Sequence, residues 1–407
     1  MNRRHAVVTG LGIITALGCD VASFWKNLLE GRCGIGDVTL FDASRYRSQK
    51  AAEVKNFIPA PYFPQRHLRR MSRCDQLGLK AAEEAIVDSG MNWQSTDREG
   101  VGIFIGGGAG GILSAEKYRR EMLQKGWRRA RPSLLLPFAT CALTDSLARK
   151  YNILGPRATI ATACSSSATA ISHALSLVRS GEIVMAIAGG SESLSEVTFG
   201  GFNALRSVDE DRCRPFDLNR KGLSLGEGAG FLIVEEAEHA RRRGARIYAE
   251  IKGYGLTADG YHMTAPDPEG KGAFRAMEAA LKDGGIEPEE VDTINAHGTA
   301  TPANDVAETK AIKALFKDRA AKIPVSAIKS MIGHCLGAAG AVEAVSAVLS
   351  VYEDKIPPTI NYQTPDPECD LDYVPNQARS RPVSIALSNS FAFGGNNTVL
   401  AFGKWKS

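Results

Sequence analysis

Three residues have types and surroundings that suit nucleophilic chemistry. The first, Cys164, lies in TACSSSATA, between an apolar run that predicts a strand and a small-residue stretch that predicts a helix. A cysteine at a helix start faces unpaired backbone N–H groups and the positive end of the helix dipole, which favour the thiolate. The neighbouring small residues leave room for a substrate. Taken alone, this stretch leaves two interpretations open: a nucleophile, or a buried structural cysteine.

Two histidines favour the first interpretation. His297 in NAHGTATP and His334 in KSMIGH each follow an apolar strand and lie beside a glycine. With Cys164 they form a Cys-His-His set. Their spacing excludes an HExxH zinc site, and beside two histidines a mononuclear metal site would usually want a third N, S or carboxylate ligand. Two neutral imidazoles can instead donate hydrogen bonds to one thioester carbonyl oxygen and stabilise an enolate.

The elements that must position these residues alternate between apolar β-branched runs and helical patterns along the whole chain. This alternation predicts an α/β fold with covered sheets. Each half ends in a Gly-rich element followed by a strand, LGEGAGFLIVEE and FGGNNTVLAFG. We therefore expect two similar halves, residues 1–250 and 251–407, that share a tight interface because no low-complexity linker separates them.

Composition and charge narrow the class of protein. The chain has 407 residues and a net charge of +4, which gives no support for general nucleic-acid binding. Its eight cysteines show no CxxC, so they predict neither a zinc site nor a disulfide framework, and they fit a reducing cytosol. The N-terminal stretch contains three glycines and no A-x-A cleavage site, which favours a strand over a signal peptide. The longest apolar run, 331–350, includes a histidine and a glutamate and predicts a buried helix, not a membrane span.

A Gly-rich loop after a predicted strand offers a competing function. Gly106, Gly108 and Gly111 match G-x-G-x-x-G, which could hold a pyrophosphate in a nicotinamide-dependent oxidoreductase. However, no acidic residue follows at the end of a second strand about 20 residues on. We therefore expect these glycines to allow close backbone packing and not nucleotide binding.

Four blocks, TACSSS, NAHGTATP, KSMIGHCLGAAG and SNSFAFGGNN, occur in this order. Together they resemble the signature blocks of the β-ketoacyl-[acyl-carrier-protein] synthases, and the resemblance runs nearly end to end. It is closest to the elongating type that resembles synthase II. The resemblance implies a thiolase-like fold, with two similar halves in five α-β-α-β-α layers, and usually a homodimer, with a heterodimer of related subunits as the alternative.

The resemblance also implies a reaction, a partner and a location. An acyl group on Cys164 would condense with malonyl-[acyl-carrier protein], with loss of carbon dioxide, to give 3-ketoacyl-[acyl-carrier protein] in fatty-acid elongation. The enzyme would be cytoplasmic and hold no cofactor or metal, because the phosphopantetheine of the acyl carrier protein carries the substrates. A polyketide or polyene-type pathway, or less favourably a coenzyme A-dependent thiolase, remains as an alternative.

Site residues follow from the same resemblance. Cys164 would accept the acyl group, His297 and His334 would activate malonyl decarboxylation, and Lys329 and Glu343 would support them. Backbone N–H groups of Cys164 and Phe393 would form the oxyanion hole. Further roles would be gating by Phe393 with hinges Gly394 and Gly395, pantetheine binding by Thr299 and Thr301, the acyl pocket at Ala109 and Phe202, and carrier-protein docking by Arg66, Arg69, Arg70, Arg128, Arg129 and Arg206.

Some positions depart from the family pattern GFGGTN and its surroundings. Ala392 replaces the first glycine, Asn396 replaces threonine, and Ser167 lies where glycine is frequent. Ala109 lies where synthase II often has isoleucine, so a wider acyl pocket is expected. Two relatives of the same fold fit less well: the chain-length-determining subunits lack the nucleophile that Cys164 would provide, and a thiolase needs a second cysteine that SNSFAFGGNN lacks.

Overall fold

A large mixed sheet organises the protein, whose computed structural model describes residues 4–55 and 57–406. The strands of this sheet and of two small ones are β1 Ala6–Thr15, β2 Ile35–Asp37, β3 Lys50–Ala52, β4 Val101–Gly106, β5 Arg157–Ile160, β6 Met185–Glu192, β7 Leu225–Gly226, β8 Gly228–Glu236, β9 Ala249–Ala258, β10 Thr293–Asn295, β11 Val325–Ser326, β12 Lys355–Ile356, β13 Arg379–Ser380, β14 Ile385–Ala392 and β15 Asn396–Gly403. The large sheet has the order β11-β10-β14-β15-β9-β1-β8-β6-β4-β5, and the small sheets are β2-β3-β7 and β12-β13.

Helices cover the strands, as the alternating sequence pattern predicts. They are α1 Val21–Leu29, α2 Gln65–Leu68, α3 Arg73–Asp88, α4 Ile112–Lys125, α5 Ala142–Tyr151, α6 Ser166–Ser180, α7 Glu196–Ala204, α8 Ala237–Arg242, α9 Lys271–Gly284, α10 Pro302–Phe316, α11 Lys329–Ile332 and α12 Ala339–Glu353. The α/β class expected from the sequence is therefore observed.

The strand order separates the chain into two groups. Within the large sheet, the strands that precede β9 in the sequence lie at one end. The strand β9 and those that follow it lie at the other end. The two groups meet where β1 pairs with β9 through only two residue pairs, Val7 with Glu250 and Val8 with Ala249. Because β9 itself spans residue 250, the expected boundary at that residue stays a prediction.

Two helices lie in the middle of the fold and carry the site. The helix α6 packs on β4 and β6, α12 packs on β8 and β14, and the two helices contact each other. On the outside, α3 packs on β1 and β8, and α9 packs on β9 and β15. The segment Leu336–Glu353 has a mean hydropathy of 1.3 and is long and apolar enough to cross a membrane, but 83% of it is buried inside the protein. It is the buried helix that the sequence predicts.

Glycines let α6 approach the sheet closely. A Cβ on Gly106, at the end of β4, would lie 2.1 Å from the backbone nitrogen of Ser167. One on Gly190 in β6 would lie 2.6 Å from the Cβ of Ser167. The first glycine of the G-x-G-x-x-G match therefore serves backbone packing, and it fixes the start of α6 against the sheet.

Gly106 should consequently be intolerant of a side chain. We expect Gly106→Ala to lower the free energy of unfolding by about 3 kcal/mol, because the new methyl group overlaps backbone that cannot move freely. Gly201 in α7 is the matched control, since nothing lies within 4 Å of a Cβ placed there. Gly201→Ala should change the stability by less than about 1 kcal/mol. Urea denaturation measures both, and equal effects would contradict this account of the packing.

Candidate active site

Cys164 lies in a strained turn that joins β5 to α6. The turn is the 3-10 helix Ala163–Ser165, and Ala163 has φ of +50°, a left-handed conformation that non-glycine residues rarely adopt. Ser166 holds the turn, because its hydroxyl accepts from the Thr162 N–H at 2.9 Å and donates to the Ala163 carbonyl at 2.6 Å. The Cys164 side chain is buried at the start of the central helix.

Burial dominates the acidity of this thiol. It raises the pKa of Cys164 from 9.0 to about 11, although the charge of Lys329 and the backbone N–H of Phe393 lower it. The helix start alone predicts a lowered pKa for this thiol, and that prediction is wrong for the protein without substrate. Loss of hydration of the thiolate outweighs the favourable dipole and N–H groups.

His297 and His334 line the same cavity as the thiol. His297 follows β10, and His334 follows α11 after Gly333, which has φ of +64°. Their ring centroids are 5.4 Å apart and their planes are nearly perpendicular, at 84°. Both rings and Cys164 line one narrow cavity of about 60 Å³, together with Phe393. The structure thus brings together the Cys-His-His set that the sequence suggests.

Both imidazoles are neutral and carry their proton on Nε2. Burial first, and the Lys329 ammonium second, lower the pKa of His297 and of His334 well below the ordinary value. The Leu336 N–H donates to Nδ1 of His334 at 3.2 Å, and Lys329 Nζ lies 3.3 Å from Nδ1 of His297. Because each Nδ1 accepts, each Nε2 is left as a donor.

A buried ion pair connects the two histidine segments. Lys329 Nζ donates to the Glu343 carboxylate and, at 2.7 Å, to the backbone carbonyl of His297. Both charged side chains are almost completely buried. Burial raises the pKa of Glu343 to about 7, and Lys329 opposes that rise. Lys329 and Glu343, the two supporting residues that the resemblance implies, are therefore in contact with each other.

Glu308 is a site residue that the sequence analysis missed. From α10 it accepts the backbone N–H groups of His297 and Gly298, each at 2.9 Å, and the side-chain amide of Asn389 at 3.0 Å. It thereby fixes the loop that carries His297. Its position just after NAHGTATP is the only signal in the sequence, and that signal does not show that its partners are backbone groups.

The C-terminal Gly-rich loop closes one side of the cavity. Phe393 begins the 3-10 turn Phe393–Gly395, and its ring stacks on Phe202 with centroids 5.8 Å apart. Gly394 and Gly395 have φ of 78° and 72°, values that favour glycine. The Gly394 N–H donates to the Met263 carbonyl at 2.8 Å. Phe202 and Phe393 both border the cavity that Cys164 lines.

The remaining predicted residues divide into three groups. Thr299 and Thr301 line the same cavity, with their hydroxyl oxygens 2.8 Å apart. Ala109 is half-buried and is not among the lining residues of this cavity. The predicted docking arginines are all exposed: Arg66, Arg69, Arg70, Arg128, Arg129 and Arg206.

The raised pKa of Cys164 predicts how fast an alkylating reagent modifies it at different pH values. Because the thiolate is the reactive form, we expect the rate of Cys164 carbamidomethylation to rise about tenfold per pH unit between about pH 7 and pH 10. Peptide mass spectrometry after timed exposure to iodoacetamide measures the rate, and exposed Cys141 reports the reagent's activity in the same sample. A rate that levels off below about pH 8 would show that the helix start lowers the thiol pKa by more than burial raises it.

Comparison with known proteins gives, over the whole chain, the family that the sequence blocks resemble. Residues 3–240 match the family model "Beta-ketoacyl synthase, N-terminal domain", and residues 248–363 match "Beta-ketoacyl synthase, C-terminal domain". The chain is 44% identical to 3-oxoacyl-[acyl-carrier-protein] synthase 2 of Synechocystis sp., over 100% of this chain and 99% of that protein. It is 43% identical to the protein of the same name from Coxiella burnetii, over 99% of both chains.

Solved structures of similar proteins support the same family. The ishigamide ketosynthase/chain length factor matches with a TM-score of 0.95 and 37% identity, over 99% of this chain and 100% of that one. A type II polyketide ketosynthase in complex with its acyl-carrier protein matches with a TM-score of 0.91 and 33% identity, over the same shares. The thiolase-like fold and the likeness to synthase II expected from the sequence are confirmed. The chain belongs to the β-ketoacyl synthase family.

Proposed function

We propose that this protein is a β-ketoacyl-[acyl-carrier-protein] synthase. It joins an acyl group held on Cys164 to the two-carbon unit of malonyl-[acyl-carrier protein], releases carbon dioxide and leaves 3-ketoacyl-[acyl-carrier protein]. The observation that carries the proposal is the convergence of one thiol and two neutral Nε2–H donors on a single narrow cavity. Full-length similarity to proteins named 3-oxoacyl-[acyl-carrier-protein] synthase 2 supports it.

The first half of the reaction is acyl transfer to the thiol. The Cys164 sulfur attacks the carbonyl carbon of an acyl-carrier thioester, and the bond to the carrier's sulfur breaks. The proton of the Cys164 thiol ends on the leaving pantetheine sulfur. The backbone N–H groups of Cys164 and Phe393 donate to the oxyanion that forms, an assignment supported by their lowering of the thiol pKa.

The second half forms the carbon–carbon bond. Malonyl-carrier enters, and Nε2–H groups of His297 and His334 donate to its thioester oxygen. Carbon dioxide leaves, and the enolate that remains attacks the acyl-Cys164 carbonyl. The carbon–sulfur bond to Cys164 then breaks, and the released thiolate takes a proton from water. Neutral imidazoles suit this step because they stabilise the growing negative charge by donation without giving up a proton.

The other predicted residues serve binding and access in this proposal. Thr299 and Thr301 hydrogen-bond the pantetheine arm, and Phe393 gates the acyl chain with Gly394 and Gly395 as hinges. Exposed arginines steer an acidic carrier protein, an attraction that salt weakens; they are Arg66, Arg69, Arg70, Arg128, Arg129 and Arg206. The proposed reaction involves no net oxidation or reduction, so it needs no redox cofactor.

We place the enzyme in the cytoplasm as a homodimer or a heterodimer with a related subunit, built from two similar halves that divide near residue 250. Fatty-acid elongation is the favoured pathway, because the relatives named synthase 2 are 43–44% identical. The second candidate is a polyketide or polyene-type pathway, which the smaller side chain of Ala109 and the match to a type II polyketide ketosynthase favour.

Substitutions at the three cavity residues separate the two half-reactions. Cys164→Ala should lose acyl-enzyme formation after incubation with acyl-carrier, measured by intact mass. His297→Ala and His334→Ala should still be acylated but should lose malonyl decarboxylation by at least about 100-fold. Acylation of Cys164→Ala at another residue, or normal condensation by a histidine variant, would contradict the assigned role.

The width of the acyl pocket can be tested at Ala109. Ala109→Ile should narrow the range of accepted chains, because the added side chain fills space that longer or stiffer chains would occupy. A panel of acyl-carriers read by mass spectrometry measures the range. Ala130→Ile serves as the size-matched control, at a buried alanine that lies outside both the cavity lining and the Gly-rich loop of Ala109. An unchanged chain profile in Ala109→Ile would remove this residue from the pocket.

A further inference from the structure

The carboxylate of Glu192 occupies the space into which the Gly-rich loop points its N–H groups. Glu192 is the last residue of β6 and is completely buried. It accepts from the N–H of Gly108 at 2.7 Å and from the N–H of Ala109 at 3.0 Å. The concave set of backbone donors that a phosphate would need is therefore filled by the protein's own carboxylate.

The same carboxylate also reaches the segment that follows His334. The oxygen that accepts from Gly108 accepts from the N–H of Gly337 as well, at 3.2 Å. A Cβ on Gly108 or on Gly337 would lie only 2.9 Å or 2.8 Å from that oxygen. Glycine at both positions thus permits the approach. Glu192 joins two loops that are far apart in the sequence.

The segment held in this way sets the tautomer of His334. Gly337 belongs to the 3-10 turn Leu336–Ala338, and Leu336 has the strained φ of +47°. It is the Leu336 N–H that donates to Nδ1 of His334. A strained residue persists only where its surroundings hold it, and the neighbouring peptide is held by Glu192.

Burying a carboxylate is costly, and several N–H donors compensate for it here. Burial raises the pKa of Glu192 to about 7, and the backbone N–H groups of Gly108, Ala109, Gly337 and Gly110 oppose that rise. The groups named here that oppose the rise in pKa are all backbone N–H groups. The interactions that keep this carboxylate in place are therefore those that hold the two loops.

We propose that Glu192 is a positioning residue for His334: it holds Leu336–Ala338 in the conformation that directs the Leu336 N–H at Nδ1 and leaves the imidazole proton on Nε2. This inference rests on the proposed function, in which that Nε2–H donates to the malonyl thioester. A second tie supports the same segment, because Ser167 of α6 accepts the N–H of Ala341 at 2.9 Å. The Cys164 helix thereby also restrains the chain that follows His334.

Two substitutions at Glu192 should have graded effects. In Glu192→Gln, the amide oxygen can keep the Gly108 and Gly337 donors while the NH₂ group faces Ala109, so the tautomer of His334 should persist. Glu192→Ala removes all the acceptors. We expect it to give His334 a mixture of tautomers and to slow malonyl decarboxylation roughly 10- to 100-fold, while acylation of Cys164 changes by less than about threefold.

Nitrogen NMR of protein labelled with ¹⁵N-histidine measures the tautomer directly, and His297 serves as the internal reference because Lys329 and not Glu192 faces its Nδ1. The matched control is Glu84→Ala on the outer helix α3, where a glutamate likewise accepts two backbone N–H groups, those of Ile13 and Val21. That variant should leave the His334 signals and the decarboxylation rate unchanged.

The experiments distinguish a wrong role for Glu192 from a wrong proposed function. If Glu192→Ala keeps the wild-type His334 signals and decarboxylates like Glu84→Ala, the inference is wrong even though condensation proceeds. If the wild-type protein does not condense, the proposed function is wrong and the tautomer still decides the role of Glu192. Should Glu192→Ala fail to fold, Gly108→Ala displaces the carboxylate from the other side and should alter the His334 signals; unchanged signals would overturn the inference.

Discussion

The buried charge of Lys329 acts on four ionisable groups that surround the cavity. It lowers the pKa of Cys164, His297 and His334, and it lowers that of Glu343, its partner. One ammonium thus favours the thiolate and disfavours the imidazolium at the same time. A buried ion pair is rarely a source of stability, because desolvation offsets the attraction between the charges. Here its effect is on the protonation states of the catalytic groups that we propose.

The segments that carry the thiol and the two histidines around this ion pair contain residues in unfavourable backbone conformations. Ala163 next to the thiol, Ala300 in the His297 loop and Leu336 after His334 all have positive φ without being glycine. Such residues persist only where packing and hydrogen bonds outweigh the strain. Glu308 holds the loop of His297, and Glu192 holds the turn after His334. Buried carboxylates that accept backbone N–H groups are therefore a recurring support of the site.

Much of the chemistry could be predicted from the sequence, because it depends on residue type and local context. Cys164 and the two histidines stand out by their flanking glycines and small residues, and the alternation of elements indicates the α/β class. By contrast, the end of the strand before the nucleophile was not predicted: β5 ends at Ile160, four residues before Cys164. Element ends depend on tertiary contacts, which a local sequence pattern does not show.

Burial is the property that the sequence conveyed least. The helix start suggests a lowered thiol pKa, but the enclosed cavity raises it. Likewise, Glu192 and Glu308 read as ordinary acidic residues until the fold shows that their partners are backbone N–H groups. Such contacts join segments distant in sequence, so no local pattern marks them. Resemblance to a family supplied the site roles that residue types alone left open.

The central claim is that burial and one ammonium keep both imidazoles neutral, as Nε2–H donors. A pH titration of ¹⁵N-histidine-labelled protein, followed by NMR from about pH 5 to pH 8, tests it most directly. We predict that His297 and His334 stay neutral with the proton on Nε2 over the whole range. Protonation of either ring near its ordinary pKa of about 6.5 would contradict the account, because an imidazolium would then face the substrate at cellular pH.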